Sequence, residues 1–385
     1  MRRMTAAAVA VLTGFTALTA CGQTAMPTST PSFSPSASIH MESPSHKGSI
    51  RDVAVSHPQE WAALEQFIVS KLTGPSGVYT NIIDTDQSGE SASGHEVLSE
   101  SASLRMLVAV RRGEKERFAQ EWALAKQTFN MKSGFSYRYS PKHQKLYPVN
   151  AAVDDLRIIR ALYEAGDVFG DKYFTEEANE YGKRFYKFNV KNGQVYDFYD
   201  EIYKITNTSV TLCYIDVSTL QELSLPGDLR NTLLNNMSMI LQDGYLSDEF
   251  PFYETKFNYD SGAYSSDNIN TVESLLSILA LAQVDRQRTT SIDYIKRQVE
   301  AGTLYGQYSR AGKPLNNIRS TAIYAITAII GAEIGDASLY RQSIARMNEL
   351  RITNIDSALY GGFGDEATGQ AYSFDNLMAS LAYVY

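Results

Sequence analysis

Glu100 is the residue around which chemistry can be organised. It stands in Val97-Leu98-Ser99-Glu100-Ser101-Ala102-Ser103-Leu104-Arg105-Met106-Leu107-Val108-Ala109-Val110, whose apolar residues predict a helix buried on more than one side. The small neighbours Ser99, Ser101, Ala102 and Ser103 leave a carboxylate there free to face a cavity instead of packed side chains. A helix N-terminus favours negative charge. Proton-donor chemistry at Glu100 therefore requires desolvation or a neighbouring carboxylate to raise its proton affinity. Without either, Glu100 is only a dipole partner in a first turn.

Other chemistries find little support. His57, His95 and His143 are scattered without His-Glu-x-x-His spacing, so no metal and no cofactor is expected. His95 shortly precedes the Glu100 helix and belongs either to the mouth of a cleft or to the surface. No phosphate loop, dinucleotide fingerprint or Gly-x-Ser-x-Gly elbow is present, and Gly361-Gly362-Phe363-Gly364 reads as a tight aromatic loop. The net charge is −8, or −10 without Arg2 and Arg3, which argues against a nucleic-acid partner.

The helix bearing Glu100 must be held by a body large enough to bury it. Residues 1–20 have a basic start and an apolar run from Ala6 to Ala20, the build of an export signal rather than a membrane span. Leu18-Thr19-Ala20-Cys21 resembles the lipobox of bacterial lipoproteins, which implies that Cys21 becomes the acylated first residue of the mature protein. Residues 21–48 are rich in Ser, Thr and Pro and read as a disordered tether. Residues 49–385 are expected to form one domain on the extracellular face, held to the membrane by the lipid alone and acting as a monomer. Cys213 is then the lone thiol, a buried small hydrophobe without a disulfide partner.

Within that domain helical periodicity recurs over 58–73, 95–111, 114–130, 151–167, 171–188, 215–224, 228–242, 268–284, 290–300, 317–332, 336–350 and 373–384. Asp171, Thr289, Asn317, Asp336 and Ser373 are placed to cap five of these helices. The connections alternate in character. Some are short, such as Arg112-Gly113-Glu114, while others are long and rich in Tyr, Phe, Gly and Asp, around Tyr137, Tyr196, Tyr259, Tyr305 and Tyr360. Paired helices whose alternate loops emerge on one face fit an all-α (α/α)6 toroid. A face carrying many of the chain's 25 Tyr residues, with Asp and Glu among them, suits a sugar polymer, because rings stack on pyranose faces and carboxylates bind hydroxyls.

Two stretches resemble glycoside hydrolase family 8, a group of inverting (α/α)6 enzymes. The family's acid-bearing helix runs Ser-Glu-Gly-Gln-x-Tyr-Gly-Met, and Ser99, Glu100 and Met106 match it; Ser101 and Ala102 replace its Gly and Gln. The second stretch, Ala-Thr-Asp-Ala-Asp-Leu-x-Ile-Ala in the family, is Ala151-Ala152-Val153-Asp154-Asp155-Leu156-Arg157-Ile158-Ile159 here. Asp155 falls on the second family Asp and Asp154 is offset by one from the first. One of the two is expected to bind sugar hydroxyls and the other to cap the helix. The resemblance is to a divergent branch associated with bacterial exopolysaccharide production.

The resemblance implies inverting hydrolysis of a β-linked polysaccharide, endo-acting, with two carboxyls roughly 6.5–9.5 Å apart. Glu100 is the acid. Asp260, on the loop where the family places its base, is the base, with Asp267 as the rival whose place before a helix suggests a cap. Tyr259 and Tyr264 flank Asp260 and are expected to hold the carboxylate and water, with Tyr196 and Tyr137 as further sugar contacts. Two alternatives remain. A non-catalytic polysaccharide-binding accessory protein is one; a polysaccharide lyase on the same fold is the other, disfavoured by the acidic balance and the lack of an Arg/His cluster.

Overall fold

The structure, a computed structural model, describes residues 57–385; the signal segment, Cys21, the whole Ser/Thr/Pro-rich stretch and residues 49–56 of the expected domain lie outside the described residues. Twelve α-helices are present among the described residues. They are α1 (Pro58–Phe67), α2 (Ser99–Arg111), α3 (Lys115–Phe129), α4 (Ala152–Phe169), α5 (Lys172–Asn189) and α6 (Val217–Glu222). The second half supplies α7 (Gly227–Asp243), α8 (Thr271–Ala282), α9 (Thr289–Ala301), α10 (Thr321–Glu333), α11 (Ala337–Asn348) and α12 (Ser373–Tyr383).

Composition sorts them into two rings. In α10, Ala322-Ile323-Tyr324-Ala325-Ile326-Thr327-Ala328-Ile329-Ile330 carries no charge and every residue is buried, as a helix enclosed on all sides requires. By contrast α5 buries one stripe, Phe174, Ala178, Tyr181, Gly182 and Phe185, and leaves its Lys and Glu residues outside. The even-numbered helices close a circle: α2 packs on α4, α4 on α6, α6 on α8, α8 on α10, α10 on α12 and α12 on α2. From outside, α3, α5, α7 and α11 cover α2, α4, α6 and α10; α1 covers α12 and α9 lies against α11. This is the (α/α)6 fold.

Loop length then fixes where chemistry can occur. Links from an inner helix to the next outer one are short, for example 112–114, 170–171 and 334–336. The returns are long: 68–98, 130–151, 190–216, 244–270, 302–320 and 349–372. All six inner helices therefore begin on the same, loop-covered face. Short antiparallel strands stiffen these loops; Ser209–Thr211 pairs with Lys256–Asn258, which pairs with Ala263–Ser265 in the register Phe257↔Tyr264.

Helix starts were less legible than helix bodies. Asp171 and Asp336 cap α5 and α11 as expected. The α9 cap position is Arg288 rather than Thr289, Ser320 rather than Asn317 caps α10, and Ser373 is the first residue of α12 rather than its cap. Helix α2 begins at Ser99, later than the periodicity suggests, because Val97 and Leu98 pair with Tyr139 and Arg138 instead.

Candidate active site

The strand pairing at Val97–Leu98 and the hydrogen bond from Ser99 N–H to the Tyr137 carbonyl (3.2 Å) set the start of α2, making Glu100 its second residue. The loop ahead is pinned by a fully buried ion pair in which Arg138 donates to both oxygens of Glu96 (2.8 and 2.7 Å). No side chain at the Leu98 cap position serves the first N–H groups of α2. The neighbouring inner helix does so. Asp154, the third residue of α4, accepts from Ser99 Oγ (2.8 Å) and from the Glu100 backbone N–H. On its other oxygen Asp154 takes Arg157 Nη1 (3.2 Å), which also donates to Ser103 Oγ (3.2 Å).

These contacts divide the labour between two acids. Asp154 is 5 % exposed, and its ionised form is held by three donors against the desolvation that raises its pKa. The half-buried Glu100 side chain receives no hydrogen bond among the described residues. Desolvation, and then the adjacent Asp154 charge, push it up to about 7, with Arg157 pulling the other way. Near neutral pH the proton of this pair belongs to Glu100, the condition a general acid must meet.

Asp155 has a different task. It is 1 % exposed and accepts from the Phe135 N–H (3.1 Å) and Asn150 Nδ2 (2.7 Å), holding the loop to the toroid. Gly134 is required beside it, since a Cβ there would lie 2.1 Å from Asp155 Oδ2. Neither acid caps α4, whose cap position Ala151 has no side-chain partner, so the cap role expected of one of them is corrected. Asp154, not Asp155, stands against Glu100.

The same scheme recurs on α12. Asp375, again a third residue, accepts from Ala322 N–H and Ser320 Oγ at the start of α10. Asn376 accepts from the Phe363 N–H, as Asp155 does from Phe135. Trans-capping of one inner helix by the next is therefore a structural device. Ala322, the second residue of α10, occupies the place that Glu100 holds on α2.

Sequence reasoning missed three residues at the inner-helix mouth. Tyr214 is 8 % exposed, lies in the field of Glu100, Asp154 and Asp197, and its hydroxyl has no hydrogen-bond partner among the described residues. Asp197 is buried and fully engaged by Thr211 and Asn207. Glu273, the third residue of α8, is partly exposed; burial raises its pKa, while Lys256 and a hydrogen bond with Thr255 favour its charge. The signal was present in Asn270-Thr271-Val272-Glu273-Ser274, a cap residue followed by an acid with a small neighbour, as around Glu100.

The remaining nominated residues gather elsewhere on the loop face. Asp260 is exposed at the tip of the 256–265 hairpin and makes no hydrogen bond or ion pair among the described residues; its charge reaches Tyr196. Tyr259 donates to the Val195 carbonyl (2.5 Å) and Tyr264 to the Ile240 carbonyl (2.8 Å), so both hydroxyls brace the hairpin instead of a catalytic carboxylate. Tyr196 lies against the Tyr259 ring (4.7 Å between centroids) and Tyr137 adjoins the start of α2. Asp267 is exposed and is not a cap; Asn270 serves α8. His95 is half-buried, stacked on Tyr79 and bonded to the Ile82 carbonyl. Cys213 is buried, as expected for a small hydrophobe.

No family model matches the chain. A protein described as a novel alpha-amylase from Clostridium perfringens is 32% identical, with 85% of this chain and 97% of that one covered and a TM-score of 0.79. Endoglucanase Cel10, a family 8 glycosyl hydrolase from Klebsiella pneumoniae, shares the fold at 16% identity, with 75% of this chain and 100% of that one covered and a TM-score of 0.54. YdaJ, a candidate lipoprotein of Bacillus subtilis (strain 168), is 27% identical over 326 residues, 83% of this chain and 85% of its own length.

Proposed function

We propose that the chain is a glycoside hydrolase family 8-like (α/α)6 enzyme of a divergent branch and that it hydrolyses a polysaccharide with Glu100 as proton donor. The observation that carries this reading is the half-buried Glu100 carboxyl, pushed up to about 7 beside an Asp154 whose charge is favoured by three donors against burial. Glu100 gives its proton to the glycosidic oxygen as the C–O bond breaks. Water attacks the anomeric carbon from the opposite ring face, and a base takes the proton of that water. The products are two chain ends, one carrying a new hemiacetal hydroxyl of inverted configuration. Asp154 binds sugar hydroxyls beside the acid.

For the base we assign Glu273 in place of Asp260. In a ring of six, α8 stands opposite α2. With neighbouring axes about 8–10 Å apart, opposite axes are about 16–20 Å apart. Side chains reach about 5–6 Å from each axis, which leaves a gap of about 4–10 Å between opposed carboxyls. That range contains the separation inversion requires. Asp260 is exposed at a hairpin tip and is the alternative.

An α-glucan is the substrate we place first, supported by the description of the relative at 32% identity. The β-linked exopolysaccharide implied by the motif resemblance stands second, supported by neighbours of lower identity. The same reading makes the chain a lipid-anchored protein of the extracellular face, on the lipobox ending in Cys21 and the relative named as a candidate lipoprotein. Retention of Cys21→Ser in the membrane fraction would contradict that anchor.

The test is reducing-end release from α-glucan, β-glucan and exopolysaccharide, with Glu100→Gln as control and the product anomer followed by proton NMR. Release by wild type alone, with the inverted anomer formed first, supports the proposal. Binding without release on every polymer would favour an accessory protein.

A further inference from the structure

The charge of Asp154 raises the proton affinity of Glu100, and something must decide which of the two carboxyls is protonated first. Asp154 has three donors, Ser99 Oγ–H, the Glu100 N–H and Arg157 Nη1, whereas the Glu100 side chain has none among the described residues. Arg157 is the charged donor of the three. It sits one turn along α4 from Asp154 and is tied in place by Ser103 on α2, so its guanidinium bridges the two helices that carry the pair.

Among the described residues the surroundings offer no second cation to do this. Ahead of α6, Tyr214 faces both acids, with Cys213 and Asp197 beyond it. From α12 the Ser373 hydroxyl meets Ser101 of α2, while Asp375 is turned to α10. On the outer side, Arg105 of α2 is committed to Glu65 of α1 and Glu121 of α3. The pair is therefore polarised from one side, by Arg157.

We propose that Arg157 is a positioning residue of the reaction: its ion pair with Asp154 keeps Asp154 the ionised member of the acid pair and leaves the proton on Glu100. This rests on the hydrolase reading above. Without the guanidinium, Asp154 competes for the proton, and each molecule holding it on Asp154 presents an ionised, inactive Glu100. The attraction that helped both groups ionise is lost as well, so the pair retains its proton to higher pH.

The test uses full-length protein labelled with ¹³C at the Glu side-chain carboxyls, as wild type, Arg157→Gln and Arg157→Lys, titrated by NMR without substrate. Activity against pH is measured on the same samples. In Arg157→Gln the Glu100 midpoint and the alkaline limb of kcat should both move up by about half a pH unit or more. The plateau kcat should fall severalfold with KM little changed, and Arg157→Lys should restore most of both. A plateau loss with midpoint and limb unmoved would reduce Arg157 to a structural brace and overturn the proposal. A shifted midpoint in a protein that hydrolyses nothing would uphold Arg157's control of the proton and overturn the hydrolase reading alone.

Discussion

Asp154 accepts the Glu100 backbone N–H and at the same time presses its charge on the Glu100 carboxyl. One side chain thus completes the helix that bears the acid and raises the proton affinity of that acid. The structural half of this arrangement recurs at Asp375 and α10, where Ala322 holds the place of Glu100. A capping device used at two inner helices is combined with a carboxyl at one of them.

Removing the Asp154 charge should therefore act in the direction opposite to removing Arg157. In Asp154→Asn, Glu100 loses the like charge that holds its proton. Its titration midpoint and the alkaline limb of activity should move to lower pH by about one unit. A limb unchanged from wild type would show that burial alone sets the acid.

Stability should carry the same signature. Folding raises the Glu100 pKa to about 7 from an ordinary 4.5, so between those values the native state holds a proton that the unfolded chain releases. Stability from this group is complete below that window and lost as pH rises through it. Glu100→Gln, which cannot ionise, should match wild type at pH 4.5 and exceed it at pH 8 by on the order of 2 kcal/mol in denaturant unfolding. Equal stabilities at pH 8 would contradict the desolvated carboxyl.

The toroid was legible in the sequence because inner and outer helices differ in kind. α10 has no polar face and α5 has one, and the long loops alternate with links as short as 170–171. Glu100 could be singled out because small residues surround it. What sequence could not supply was proximity. Asp154 and Asp155 are adjacent letters, yet one serves α2 and the other the loop at Phe135, a division fixed by the 100° between successive helical side chains. Asp260 lay between two tyrosines, and only the structure committed those hydroxyls to the Val195 and Ile240 carbonyls. Glu273 gains its meaning from the ring, which places α8 across from α2.

The base assignment separates two variants. Glu273→Ala should lose about 10²–10⁴ in kcat, the range of a general base, and azide should restore part of the turnover. Asp260→Asn should stay within a few-fold of wild type. Reversal of these two results would return the base to the hairpin.

Asp155 predicts a loss of another kind. Gly134→Ala would drive a methyl into the Asp155 carboxylate, costing about 1–3 kcal/mol of stability. The Glu100 titration midpoint should not change. A shift in that midpoint would mean that Asp155 belongs to the acid pair.

The most direct measurement is reducing-end release by wild type and Glu100→Gln on α-glucan and on β-linked polymers at pH 6. Wild type should release ends from at least one polymer, and Glu100→Gln should lose about 10²–10⁴ of that rate with its circular dichroism unchanged. Equal rates in the two proteins would remove Glu100 from the chemistry and contradict the account.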